Sequence, residues 1–128
     1  ACVNGPYNYM GDGNSLDWPK TLDAAKALNP KTICPGHGAM TDGSLIDVQK
    51  AYFIALQNQI RPLVKKKATL GQLRGKTEAI RAKVLKNKKI SRYVGNKFAD
   101  QLEKIYGDFT GQTLGRFDVV KESKKSDK

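Results

Sequence analysis

The chain has a single histidine, His37, which lies between two glycines in the segment Pro35-Gly36-His37-Gly38. Glycines on both sides of a histidine remove steric bulk that would prevent its backbone and side chain from approaching a small, crowded site. A neutral imidazole displayed in such a turn can bind a metal ion. The pattern therefore makes His37 a candidate metal ligand. The alternative is an exposed turn histidine that binds nothing.

Predicted helices and one predicted strand surround this turn. A helix capped by Asp17 is expected first, because apolar residues then recur every three or four positions: Trp18, Leu22, Ala25 and Leu28. Residues 31–34 are β-prone and predict a short strand that leads into the turn, with Cys34 buried in it. Ser44 starts a longer amphipathic helix, which Pro62 is expected to kink or end.

Two more helices are predicted in the second half of the chain. Thr69 can cap the first of them, although Gly71 and Gly75 weaken its opening turns. The second carries apolar residues from Phe98 to Tyr106 on one face. Residues 121–128 contain no apolar side chain and predict a disordered tail.

The His37 turn and the segment before it resemble the metallo-β-lactamase superfamily. In that superfamily the last metal-ligand histidine lies in a P-G-H-G turn after a strand, and a helix that opens near a tryptophan precedes the strand. The stretch VNGPYNYMGDGNSLDW is also similar to the superfamily's loop between a metal-bridging aspartate and that helix. Residues 1–60 carry the resemblance, and it extends more weakly through the helices beyond them.

The resemblance implies a fold and a metal site. It predicts an α/β fold in which residues 1–60 are the C-terminal part of an αβ/βα sandwich and residues 61–120 are a mainly helical extension. Superfamily members bind one or two metal ions, usually zinc, through an H-x-H-x-D-H cluster, a further histidine, the bridging aspartate and the final histidine. Only His37 carries over, since the cluster is absent and the aspartate would fall just before Ala1. The expected function is therefore the C-terminal segment of a metal-dependent hydrolase, inactive alone.

The same resemblance suggests partners and a substrate pocket. A missing N-terminal half, or self-association, is expected to cover apolar faces that an incomplete sandwich exposes. A small-molecule substrate is expected in the complete enzyme, and its identity stays open. Tyr7 and Tyr9 are candidates for the pocket because the superfamily's corresponding loop lies near the active-site mouth, although ordinary loop packing explains them equally well. Asp12 is interpreted as a turn residue rather than a ligand.

The charge of the chain suggests a second function from a different class. Residues 1–60 carry four lysines and five aspartates, whereas residues 61–128 carry nineteen of the 23 basic side chains and seven of the 12 acidic ones. A basic surface in the second half can bind nucleic acid or another polyanion through phosphate contacts. Its candidate residues are Lys65, Lys66, Lys67, Lys86, Lys88, Lys89 and Arg92. A solvated helix face is the commoner explanation of such charges, and no known nucleic-acid module is present.

Composition excludes a membrane-spanning protein and bears on the compartment. No apolar run approaches the roughly 20 residues that a membrane span requires, and no signal peptide opens the sequence. The two cysteines, Cys2 and Cys34, form neither a CxxC pair nor a disulfide framework. Reduced thiols favour a cytoplasmic location, and a periplasmic or secreted one stays open.

Overall fold

The computed structural model describes residues 2–6, 8–10 and 13–112 of the chain. These residues form four α-helices and two short 3-10 turns. The helices are α1 (Trp18–Ala27), α2 (Ser44–Lys65), α3 (Leu70–Lys86) and α4 (Phe98–Thr110), and the turns are Ser15–Asp17 and Ser91–Tyr93. The predicted disordered tail, residues 121–128, lies outside the described residues.

The predicted sandwich is wrong for this chain. Within residues 2–6, 8–10 and 13–112 no extended strand forms, and the predicted strand at residues 31–34 is reduced to one isolated antiparallel bridge between Ile33 and Thr41. Pro35 and the glycines after it end the pairing, because proline lacks a ladder donor and glycine disfavours extended structure. The described part is a small all-α fold, in which helix packing rather than a sheet buries the apolar residues.

Local signals explain where the helices begin. Thr69 and Gln72 form the predicted cap of α3 in a reciprocal capping box, with Gln72 N donating to Thr69 Oγ1 at 3.2 Å and Thr69 N donating to Gln72 Oε1 at 2.8 Å. The helix α1 begins at Trp18 as expected, but the Asp17 side chain makes no capping hydrogen bond. Asn14 instead caps the preceding 3-10 turn by accepting from Leu16 N at 2.9 Å.

The core lies where α2 meets the other helices. Most of its buried apolar residues come from α2, α3 and α4 and from the turn after α3, among them Tyr52, Phe53, Leu56, Ile60, Leu73, Ile80, Tyr93, Leu102 and Ile105. Leu22 of α1, Val3 and Met10 are buried with them. Trp18 of α1 stacks on Phe53, with ring centroids 5.2 Å apart. The apolar face of α1 is therefore largely covered by α2, whereas Leu28 just after α1 is 83% exposed. The change of charge near Arg61 falls inside α2, so one helix crosses it.

The helix α2 continues through Pro62 and ends at Lys65, so it does not end at that proline, which was one of the two expected outcomes. Its last turn closes through backbone bonds from Lys66 N to Pro62 O at 3.1 Å and from Ala68 N to Leu63 O at 2.9 Å. Between them Lys67 adopts a left-handed backbone conformation, with φ of 55°. This conformation costs an L-residue about 1–2 kcal/mol, a cost that glycine avoids.

Replacing Lys67 by glycine is expected to raise the free energy of unfolding by about 0.5–1 kcal/mol, since strain relief exceeds the added chain entropy. Urea denaturation measures the change. The matched control is Lys66→Gly, because Lys66 has φ of −84° and gains nothing from glycine. A shift of both variants in the same direction would contradict this explanation.

Candidate functional site

His37 lies at the middle of a loop that is closed at its base by a single bridge. Ile33 N donates to Thr41 O at 2.7 Å, and Thr41 N donates back to Ile33 O at 3.1 Å. Residues 34–40, here called the His37 loop, form the excursion between these two residues. The His37 side chain is exposed at the centre of the loop.

A second segment of the chain, residues 2–4, lies alongside the His37 loop; it is here called the N-terminal segment. Gly36 N donates to Cys2 O at 3.1 Å, and Asn4 N donates to His37 O at 2.9 Å. The Asn4 side chain adds a third bond, from Nδ2 to Ala39 O at 3.0 Å. Both sides of His37 are therefore tied to residues more than thirty positions away in the sequence.

The two glycines beside His37 have different roles. Gly38 has φ of 93°, and a Cβ built on it would lie 2.0 Å from the backbone oxygen of Asn4. A Cβ on Gly36 would meet nothing within 4 Å. Of the two glycines beside His37, only Gly38 is therefore required for steric reasons. The neighbour that leaves no room for a side chain at Gly38 is Asn4 of the N-terminal segment.

Asp42, just after the His37 loop, is accounted for by local structure, whereas Cys34 within the loop departs from expectation. Asp42 Oδ1 accepts from Ser44 N at 2.9 Å and from Ser44 Oγ at 2.5 Å, and these hydrogen bonds hold the pKa of Asp42 below its usual value. Its carboxylate is thereby engaged at the start of α2. Cys34, expected to be buried in a strand, is exposed. That expectation was wrong because the strand is absent.

Of the two candidate pocket residues, Tyr7 and Tyr9, the structure describes Tyr9. Tyr9 is 53% exposed, so its ring is available to a ligand. Tyr7 and Asp12 lie outside the described residues.

Within the described part of the chain, His, Cys, Asp and Glu side chains nowhere gather in a group of three or more that could hold a metal ion. A catalytic zinc generally takes three protein ligands and leaves one position open for water. The described residues by themselves therefore do not supply the protein ligands of a catalytic zinc.

The basic residues predicted to bind polyanions fall into two separate groups. Lys65, Lys66 and Lys67 lie where α2 ends, next to the start of α3, whereas Lys86, Lys88, Lys89 and Arg92 lie at or beyond the end of α3. The 17 residues of α3 separate the groups by about 25 Å at roughly 1.5 Å per residue. The structure does not bring them into one patch. Tyr93, the only aromatic expected near it, is fully buried and cannot stack on a base.

Asn4, Gln49 and Gln101 are residues near this site that sequence reasoning missed. Gln49 and Gln101 lie on buried faces of α2 and α4, and both are buried. A glutamine inside an apolar helical stripe was the available signal, since a buried amide must be hydrogen-bonded to something.

Comparisons with known proteins give no assignment. No protein-family model, curated protein or solved structure matches the chain. The resemblance to the metallo-β-lactamase superfamily therefore rests on the residues of the sequence itself. No helix among the described residues is both long and apolar enough to cross a membrane.

Proposed function

We propose that the chain is a segment of a metal-dependent hydrolase related to the metallo-β-lactamase superfamily, in which His37 is one ligand of the metal centre. The observation that carries the proposal is the pairing of the His37 loop with the N-terminal segment. In the resemblance, the N-terminal segment directly follows the metal-bridging aspartate. Its contact with the His37 loop supports a metal centre in which His37 and that aspartate are adjacent in space although distant in sequence.

In this proposal the remaining ligands come from residues outside this chain. A zinc ion in such a centre lowers the pKa of its bound water to about 7 and so supplies hydroxide at neutral pH. The chain's own contribution is to bind the metal through His37 and to hold that residue in place. The substrate is a small molecule with a carbonyl or phosphoryl centre, and lactams, thioesters, lactones and phosphodiesters all satisfy this description.

The chain alone is expected to show neither hydrolysis nor tight zinc binding, because one histidine cannot hold a catalytic zinc. Isothermal titration calorimetry of the 128-residue chain with zinc measures this directly. Sub-micromolar affinity would contradict the prediction that the other ligands lie outside this chain.

In the complete protein, meaning this chain together with the segment that supplies the other ligands, His37→Ala is expected to lower hydrolysis at least about 100-fold, because the metal contributes several kcal/mol to the transition state. The measurement is kcat/KM on a panel of lactam, thioester, lactone and phosphodiester substrates. Cys34→Ser is the matched control, since Cys34 is another potential metal ligand, three residues away and also exposed. Equal losses in the two variants, or no loss in either, would reject the assignment.

A further inference from the structure

Two buried glutamines hold the stretch of chain that begins with the N-terminal segment. On α2, Gln49 Oε1 accepts from Val3 N at 3.2 Å, and Gln49 Nε2 donates to Asn8 Oδ1 at 3.0 Å. On α4, Gln101 Nε2 donates to the backbone oxygen of Asn8 at 2.9 Å, and its Oε1 accepts from the Tyr52 hydroxyl. Gln49 is 0% and Gln101 is 2% exposed.

The backbone determines how both amides are oriented. Val3 N can only donate, so it must face the oxygen of Gln49, which turns the Gln49 nitrogen toward Asn8. The backbone oxygen of Asn8 can only accept, so it must face the nitrogen of Gln101. Asn8 then presents Oδ1 to Gln49, and its buried Nδ2 has no hydrogen-bond partner among the described residues. The position of Asn8 is thus imposed by the two glutamines.

Apolar residues at these two positions would suit a helical core better, because burying an amide costs free energy unless it is hydrogen-bonded. Three of the four hydrogen bonds that these two amides make go to residues 3 and 8, and the fourth comes from the Tyr52 hydroxyl. Residues 2 and 4, on either side of Val3, are the ones whose backbone bonds to Gly36 and His37. A continuous path therefore runs from α2 through Gln49 and Val3 to the backbone of His37, and Gln101 of α4 joins it at Asn8.

We propose that Gln49 and Gln101 are positioning residues that fix the N-terminal segment and, through it, the His37 loop. The relevance of this role to metal binding rests on the proposed function of His37. The helices α2 and α4 then have a second role besides core packing, which is to hold the His37 loop in position through the hydrogen bonds of Gln49 and Gln101.

Native-state hydrogen exchange in the 128-residue chain tests the positioning role without any metal. In Gln49→Leu, and independently in Gln101→Leu, the amides of Asn4 and Gly36 are expected to exchange at least about tenfold faster, as the loss of one buried hydrogen bond implies. The amides of Ile80 and Val84 in α3 are expected to keep their rates. The matched control is Gln57→Leu, since Gln57 is a buried glutamine of α2 that donates to Ser15 O at 3.1 Å and does not contact the N-terminal segment.

Unchanged exchange at Asn4 and Gly36 in both variants, or an equal acceleration at all amides, would overturn the proposal. A second readout is the zinc dissociation constant of the complete protein, which Gln49→Leu is expected to raise about tenfold, as removal of a supporting residue around a metal ligand does. No change in that constant, in a protein where His37→Ala does weaken zinc binding, would also overturn it. If His37→Ala leaves zinc binding intact, the proposed function fails, while the exchange rates still decide whether the glutamines position the loop.

Discussion

Gly38→Ala is expected to separate the His37 loop from the N-terminal segment and to lower the free energy of unfolding by about 2–3 kcal/mol. The added Cβ would lie 2.0 Å from Asn4 O, a distance that no side-chain rotation relieves because the neighbour is backbone. The backbone at φ of 93° adds strain for any residue with a Cβ. Urea denaturation measures the stability, and the amide exchange of Asn4 reports the separation.

Gly36→Ala is the matched control for this prediction. It makes the same chemical change two residues earlier in the loop, where a Cβ meets nothing within 4 Å. We expect a change below about 0.5 kcal/mol, as for an ordinary surface substitution. Equal destabilisation by the two alanines would mean that the contact between Gly38 and Asn4 does not hold the loop.

Asp108→Ala is expected to lower the free energy of unfolding by about 3 kcal/mol, near the lower end of the range for breaking a buried charged pair. Asp108 Oδ2 accepts from Ser15 N at 2.8 Å and from Ser15 Oγ at 2.5 Å, and its Oδ1 accepts from Lys104 Nζ at 2.7 Å. Ser15 is fully buried, and the side chains of Lys104 and Asp108 are only 14% and 9% exposed. Removing the carboxylate leaves the amide and the hydroxyl of the buried Ser15 without their acceptor.

Asp23→Ala provides the comparison for Asp108, since it breaks the exposed ion pair between Asp23 and Lys50, whose N–O distance is 2.6 Å. Such surface pairs contribute about 0–1 kcal/mol. Thermal and urea denaturation of both variants give the two values. Similar losses would show that the link from α4 to the turn before α1 is no stronger than a surface ion pair.

The helices were predictable because their signals are local. Apolar spacing located α1, α2 and α4, and Thr69 marked the start of α3 together with its cap. The end of α2 was missed because a proline in the last turn removes only one backbone hydrogen bond from the helix. Beyond Pro62, backbone hydrogen bonds donated by Lys66 and Ala68 close the helix. No apolar pattern encodes that closure.

The predicted sandwich failed for a reason that is not local. A β-prone run becomes a strand only when neighbouring strands pair with it, and in the described residues Ile33 finds one partner, Thr41. The candidate site was predictable only in part, for the same reason. His37 and the need for glycine beside it were visible in the sequence, whereas the partner that makes Gly38 necessary is Asn4, thirty-four positions earlier. Gln49 and Gln101 were missed because their hydrogen bonds join elements distant in the sequence.

In the proposed function, His37 is a ligand of a metal centre that residues outside this chain complete. The most direct test is the intact mass of the natural protein under native and denaturing conditions, with zinc content determined on the same sample and on His37→Ala. We predict a wild-type assembly that includes further polypeptide and one or two zinc ions, and a His37→Ala protein of the same assembly that has lost zinc. A chain that is alone and free of metal, or a variant that keeps all its zinc, would contradict the claim.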